Sequence, residues 1–293
     1  MRYIDSPTLF ENRPSYRLTG VDWDAQGGGQ LSFGLATYFD KIDVCEAIGH
    51  ELAATLASSD GATVGGPGWG KLPRRRLIGD PFDLEVRSVV PAITTLLLRL
   101  RPSGEATFFL HWRDPGKVAT AGGLYDTIPA GEFQPSTVMC DPAGPDFDLW
   151  RAIVRELSEE LLGTSEDYGS DTAPIDYDAW PFNRALTAAR AEGTLRVYWL
   201  GLGMDPLTLV TDMLTVAVFD AELFDETFER IVSTNDEGLR VEMEDGTGRA
   251  VGIPFRADQI ERLTGSEPMQ PAGAALLQLA WQHRKVLLPG QPG

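Results

Sequence analysis

Alternating strand and helix patterns between residues 88 and 286 are the feature that most limits how this chain can fold. Val89–Leu100 is strongly apolar, and Ala106–Trp112 has the β-branched and aromatic residues typical of a buried strand. Further strand patterns cover Leu195–Leu202 and Leu214–Phe219, and helix patterns cover Ala221–Ile231, Ala257–Leu263 and Pro271–Val286. Such interleaving without a repeat predicts an α/β (α+β) body, a mixed β-sheet sandwiched between helices.

The first part of the chain has a different pattern. An alternating stretch at Gln30–Leu35 predicts a strand, and Ile42–Leu56 has helical apolar spacing before a glycine-rich stretch at Gly65–Gly70. A chain of 293 residues has room for roughly two domains. We therefore expect an N-terminal α+β extension or small domain over residues 1–87, which could form a homodimer, and a main domain over residues 88–293.

Charge and hydropathy exclude several classes of partner. The net charge of −18 would repel the phosphate backbone of a nucleic acid polymer, although a bound divalent cation could still attract a small anionic substrate. No apolar run approaches the roughly 20 residues that a membrane-spanning helix needs. The N-terminus lacks an export signal, so we expect a cytoplasmic protein without a membrane partner. Cys45 and Cys140 are too few for a disulfide framework.

The stretch from Asp146 to Gly163 predicts one helix with its start and end marked. Asp146 or Asp148 can cap the start, and Gly163 can supply the left-handed residue at the end. At about 100° per residue, Glu156, Glu159 and Glu160 share one arc beside an apolar stripe. We expect these acids at the edge of a cleft, where carboxylate oxygens suit Mg²⁺ or Mn²⁺. A solvated acidic face is the alternative.

Two motifs resemble the signature of the Nudix hydrolase family. That signature is Gly, five residues, Glu, seven residues, then Arg-Glu-apolar-any-Glu-Glu-any-Gly-apolar. Arg155-Glu156-Leu157-Ser158-Glu159-Glu160 is similar to its second part without a gap, and Pro129-Ala130-Gly131 is similar to the turn that opens it. The resemblance covers about residues 90 to 286 and implies a mixed sheet between helices, with the signature binding metal against a diphosphate.

The chain departs from the signature in three places. About ten extra residues lie between Gly131 and Arg155, around Thr137–Pro145, where a surface loop can accept them. Phe147 stands where the first glutamate belongs, flanked by Asp146 and Asp148, which could substitute for it. The late glycine is displaced by one residue, to Gly163.

The resemblance implies a metal-dependent hydrolase that cleaves the diphosphate bond of a small nucleoside diphosphate-type substrate. It implies that Glu156, Glu159 and Glu160 hold Mg²⁺ or Mn²⁺, that Glu159, Glu160 and Arg155 serve catalysis, and that Gly131 and Glu132 bind substrate. The general base stays open between Glu160 and the acids Glu237, Glu242 and Glu244.

Other functions remain open at this point. The altered signature could belong to a catalytically weakened Nudix-like protein that binds or senses a ligand. An isomerase related to the family would use Cys140 as an acid. A structural protein that dimerises through its first 80 or so residues is a further alternative.

Overall fold

The computed structural model describes residues 11–24, 28–57, 69–118, 121–138, 141, 143–164, 174–229, 238–241 and 252–289. In the first part of the chain the elements are β1 (Pro14–Trp23), β2 (Gly29–Thr37), α1 (Tyr38–Ala57), a 3-10 turn (Trp69–Lys71) and α2 (Pro73–Ile78). The next are β3 (Ala92–Leu100), β4 (Ala106–Phe108), β5 (Leu110–Arg113), β6 (Tyr125–Thr127), β7 (Ala130–Glu132), α3 (Leu149–Leu162) and α4 (Pro181–Glu192). The remainder are β8 (Leu195–Met204), β9 (Thr211–Asp220), α5 (Ala221–Thr227), β10 (Gly238–Val241), β11 (Ile253–Pro254), α6 (Ala257–Ser266), α7 (Pro271–Gln282) and α8 (Arg284–Leu287).

The central sheet is mixed. Its strands follow the order β11-β4-β3-β9-β8, and β7 pairs with β3. β3 runs parallel to β9, whereas the other pairs are antiparallel. A second sheet has the order β10-β5-β6, and β1 and β2 form a hairpin. The predicted mixed sheet is confirmed.

Helices cover both faces of the central sheet. Alternate residues of its inner strands point to opposite sides, and apolar residues on each side pack against helices. Ile93 and Leu97 of β3 pack in one buried cluster with residues of α3 and α4. Leu96 and Leu98 of the same strand pack in another cluster with residues of α6 and α7. The sandwich expected from the sequence is therefore present, and α3 is fixed against one face of the sheet.

The segment Ala106–Trp112 is two strands, so its prediction as one strand was wrong. β4 belongs to the central sheet and β5 to the three-stranded sheet. Phe109 lies between them, fully buried, and its ring stacks on Phe224 with 5.4 Å between the ring centres. The break in pairing lets one apolar run serve two sheets.

The β1–β2 hairpin lies directly on the main body. Tyr16 N–H donates to the Phe133 carbonyl at 3.0 Å, and Leu18 N–H donates to the Val89 carbonyl at 2.8 Å. The Tyr16 ring is buried in the same cluster as α3. The N-terminal elements therefore help to form the surroundings of α3. No helix in the described part of the chain is long and apolar enough to cross a membrane.

Candidate active site

Helix α3 begins and ends where the sequence predicts. Asp148 Oδ1 accepts the Arg151 N–H at 3.0 Å, which makes Asp148 the cap of the first turn. Gly163 has φ 66° and its N–H bonds back to the last turn, so it takes the left-handed position that favours glycine. These two residues set the length of the helix that carries the three glutamates.

Arg155 is buried in a network that holds the loop before α3 against the helix. Its guanidinium donates to Asp146 Oδ1 at 2.9 Å, to the Tyr177 hydroxyl at 2.9 Å and to the Gln134 carbonyl. The Tyr177 hydroxyl also donates to Asp146 Oδ1 at 2.6 Å. Asp146 is therefore engaged by Arg155 and Tyr177, and its expected alternative role as the cap of the helix was wrong.

The two ends of the inserted loop meet at Asp146. Ser136 donates to Asp146 Oδ2 from its backbone N–H at 3.0 Å and from its hydroxyl at 2.8 Å. The stretch between these residues includes Cys140, which lies outside the described residues. The insertion is thus closed at its base, which we call the Ser136–Asp146 clamp.

Phe147, which replaces the first glutamate of the signature, has an apolar role. Its ring lies 5.0 Å from Tyr16, 5.6 Å from Phe33 and 5.9 Å from Phe133 between ring centres. An aromatic residue here packs the N-terminal hairpin against the start of α3. The carboxylate of the neighbouring Asp146 is paired with Arg155 at 2.9 Å.

Glu156 lies at the wall of the main cavity, against Gly131 of β7. A Cβ built on Gly131 would stand 2.2 Å from Glu156 Oε2, closer than any real side chain could approach. Glycine at this position therefore leaves the space that the Glu156 carboxylate occupies. The cavity has a volume of about 410 Å³, which is within the usual range for small-molecule sites.

Glu160 is buried, so the expectation that it faces the cleft was wrong. It is 7% exposed, and its Oε1 accepts the Ala130 N–H at 2.7 Å. Its Oε2 lies 3.4 Å from His111 Nδ1 and has no hydrogen-bond partner among the described residues. Only the fold shows His111 beside Glu160, because the two residues are far apart in the sequence.

Glu159 lies at a smaller cleft next to the main cavity. Arg13, Ser136 and Glu156 are among the residues that line it with Glu159. Glu156 therefore borders both spaces, while Glu159 borders the smaller one. Within the described ranges, no three His, Cys, Asp or Glu side chains form a group that could hold a metal ion.

The main cavity is also lined by charged residues of α1, β7 and β9. Lys41 of α1 pairs with Glu132 of β7, and Asp212 of β9 accepts a hydrogen bond from the Thr94 hydroxyl at 3.1 Å. Burial acts against the charge of Lys41, but Glu132 and Asp212 outweigh it and raise the pKa of the ammonium. Burial raises the pKa of Asp212 to about 6.

Asp126 of β6 is a further buried acid in this cavity. It is 4% exposed, and its Oδ1 accepts the Thr127 N–H at 2.8 Å. Burial raises the pKa of Asp126 to about 7, and Arg113 lowers it in part. A carboxyl of this kind changes charge near neutral pH.

The raised pKa of Asp126 predicts how stability depends on pH. The folded protein holds this proton up to about pH 7, whereas an ordinary carboxyl loses it near 3.8. The contribution of this proton to the free energy of unfolding is fully present below pH 3.8 and is lost as the pH rises through about 7. The side chain of Asp126→Asn stays neutral at every pH. As the pH rises from about 5 to 8, the free energy of unfolding of this variant should therefore fall less than that of the parent.

Urea denaturation at a series of pH values measures this difference. Asp178→Asn, which changes an exposed aspartate, is the matched control and should follow the parent curve. Asp212 has a pKa raised in the same direction, and its contribution remains in all three proteins. Identical pH dependence for Asp126→Asn and the parent would contradict the buried, proton-holding Asp126.

Comparison with known proteins gives loose likenesses only. No family model and no curated protein matches the chain. A crystal structure of a Nudix hydrolase from M. smegmatis, RenU, is 16% identical over 70% of this chain and 90% of its own, with a TM-score of 0.36. A Nudix hydrolase from Alicyclobacillus acidocaldarius is 18% identical over 65% of this chain and 90% of its own, with a TM-score of 0.33. Likeness at these TM-scores assigns neither a family nor a function.

Proposed function

We propose that the protein is a metal-dependent hydrolase that cleaves the diphosphate bond of a small nucleoside diphosphate-type substrate. One observation carries the proposal: the Arg155–Glu160 motif lies on a helix anchored by Asp146, with Glu156 at the cavity wall against Gly131. A carboxylate held beside a glycine at the wall of a cavity is suited to a cation that contacts phosphate oxygens.

The residues present fit a magnesium or manganese ion held by few protein ligands. Magnesium is commonly bound by one or two carboxylates together with substrate phosphates, and does not need a complete protein cage. Glu156 would supply such a ligand from the cavity wall, with Glu159 next to it at the smaller cleft. When bound, the ion would neutralise phosphate charge and lower the pKa of a water molecule.

The protein's own groups would handle the proton and the substrate. Asp126 lies in the same cavity with a pKa of about 7, so its carboxylate could accept a proton from an attacking water near neutral pH. The alternative bases Glu237, Glu242 and Glu244 lie outside the described residues. Gly131 would border the diphosphate at β7, and Glu132 would contact the substrate beside it.

A binding or sensor protein is the second candidate function. It is favoured by Glu160, whose Oε1 is engaged by Ala130 and whose Oε2 faces His111 in the interior. If this arrangement persists with ligand bound, the protein would hold a diphosphate compound without cleaving it.

A hydrolysis assay tests the proposal. Purified protein is given a panel of nucleoside diphosphate compounds with magnesium, manganese or a chelator, and phosphorylated products are measured. We expect products with at least one compound, only in the metal arms, and a higher melting temperature of the protein with metal than with chelator. Ligand binding without products in any arm would favour the sensor. A melting temperature that is the same with metal and with chelator would contradict the proposed metal site.

A further inference from the structure

The ammonium group of Lys41 has spare hydrogen-bonding capacity at the cavity wall. Lys41 is 6% exposed and donates to Glu132 Oε1, the one acceptor it has among the described residues. An ammonium group carries three donors. Two N–H groups of a buried cation are therefore left to the cavity that this residue lines.

An unused acceptor lies beside these donors. Glu132 Oε2 is buried and has no hydrogen-bond partner within the described part of the chain. Asp212, whose charge acts on Lys41, lines the same cavity and is 4% exposed. Buried polar atoms are normally satisfied, and an incompletely satisfied buried ion pair is costly. These groups are thus suited to a ligand that accepts hydrogen bonds from Lys41 and donates one to Glu132 Oε2.

The charge of this group of residues selects the kind of ligand. One ammonium faces two carboxylates, so a phosphate would meet more negative than positive charge. A hydroxyl is neutral, accepts from an ammonium N–H and donates to a carboxylate oxygen. Neighbouring hydroxyls, as on a sugar, can satisfy several of these atoms at once.

We propose that Lys41, Glu132 and Asp212 form a subsite for the sugar hydroxyls of the substrate. The inference deepens the proposed function and rests on it for the position of the diphosphate. Glu132 follows Gly131 in β7, and Gly131 is in contact with Glu156. The sugar would therefore lie one residue along β7 from the place where the diphosphate is bound. Lys41 belongs to α1, so the N-terminal segment would contribute to substrate choice.

Binding to the parent protein tests the subsite without any mutation. Dissociation constants are measured by calorimetry in chelator for two pairs of compounds that differ in sugar hydroxyls. The pairs are ADP-ribose with ADP, and ADP with 2′,3′-dideoxy-ADP. We expect the compound with more hydroxyls to bind about tenfold or more tightly in at least one pair, as hydrogen bonds to charged groups would give. Equal affinities in both pairs would overturn the inference, and so would the absence of binding both in chelator and with magnesium.

Variants then assign the difference to these residues. We expect a smaller preference for hydroxyls in Lys41→Gln and in the double variant Lys41→Gln with Glu132→Gln. The double variant serves if the single one folds poorly, because it leaves fewer buried charges. Lys285→Gln, which removes an exposed lysine charge, should keep the preference. Inorganic pyrophosphate is the probe for the opposite outcome. If pyrophosphate binds the parent as tightly as the sugar compounds do, and if this binding is lost in Lys41→Gln, then Lys41 binds phosphate and the sugar subsite is refuted.

The two proposals can fail separately. Hydrolysis by the parent protein without any preference for hydroxyls would overturn only the sugar subsite. A preference for hydroxyls without hydrolysis in any metal arm would overturn only the proposed reaction and leave a sugar-binding site in place.

Discussion

Glu156→Gln is expected to lower metal-dependent hydrolysis by about a hundredfold or more, which is the usual effect of removing one electrostatic group from a reacting centre. The amide keeps the shape of the side chain against Gly131 but loses the negative charge that would hold a cation at the cavity wall. The turnover number is measured at saturating metal and substrate, and the melting temperature is recorded beside it.

Two other variants show whether the effect belongs to position 156. Glu261→Gln changes an exposed glutamate on α6 and should keep full turnover. Glu159→Gln should have an intermediate effect, because Glu159 borders the smaller cleft and not the main cavity. Full activity in Glu156→Gln would remove this residue from the reaction and leave the cavity without its proposed metal ligand.

Arg155→Met is expected to destabilise the folded protein by about 3–5 kcal/mol, the range found when one member of a buried ion pair is removed. The variant would leave the Asp146 carboxylate buried with Tyr177 and Ser136 but without its cation. Arg155 is 3% exposed, so water could not replace the lost charge without opening the loop. Guanidinium denaturation measures the free energy of unfolding.

Arg196→Met is the matched control for this prediction. Arg196 pairs with Asp220 at 3.1 Å, but both side chains are partly exposed, at 29% and 44%. Exposed pairs contribute about 1 kcal/mol or less. Equal losses of stability in the two variants would mean that the Asp146 network does not anchor the helix.

The local features of the fold could be predicted because they depend on neighbouring residues. The apolar, β-branched run Leu214–Phe219 predicted a strand, and the capping oxygen of Asp148 and the freedom of Gly163 predicted the ends of α3. The break in Ala106–Trp112 could not be predicted this way. It depends on which sheet each half joins, and the run contains no glycine or proline that would mark the break.

The site could be predicted only where its residues are consecutive. The motif at Arg155–Glu160 gave Glu156 at the cavity, but not the inward position of Glu160, which depends on Ala130 and His111 from other strands. Lys41 and Glu132 are 91 positions apart in the chain. Nothing in the residues around either one indicates the other, so only the packing of α1 on the body brings them together.

The Ser136–Asp146 clamp separates the length of the inserted loop from the position of the helix. Because the loop is tied off at its base, lengthening it costs only the slowly growing entropy of a longer closed segment. Related sequences could therefore gain or lose residues here without moving Arg155. For the engineer, the same stretch is a natural point at which to splice a peptide tag or a reporter into the chain.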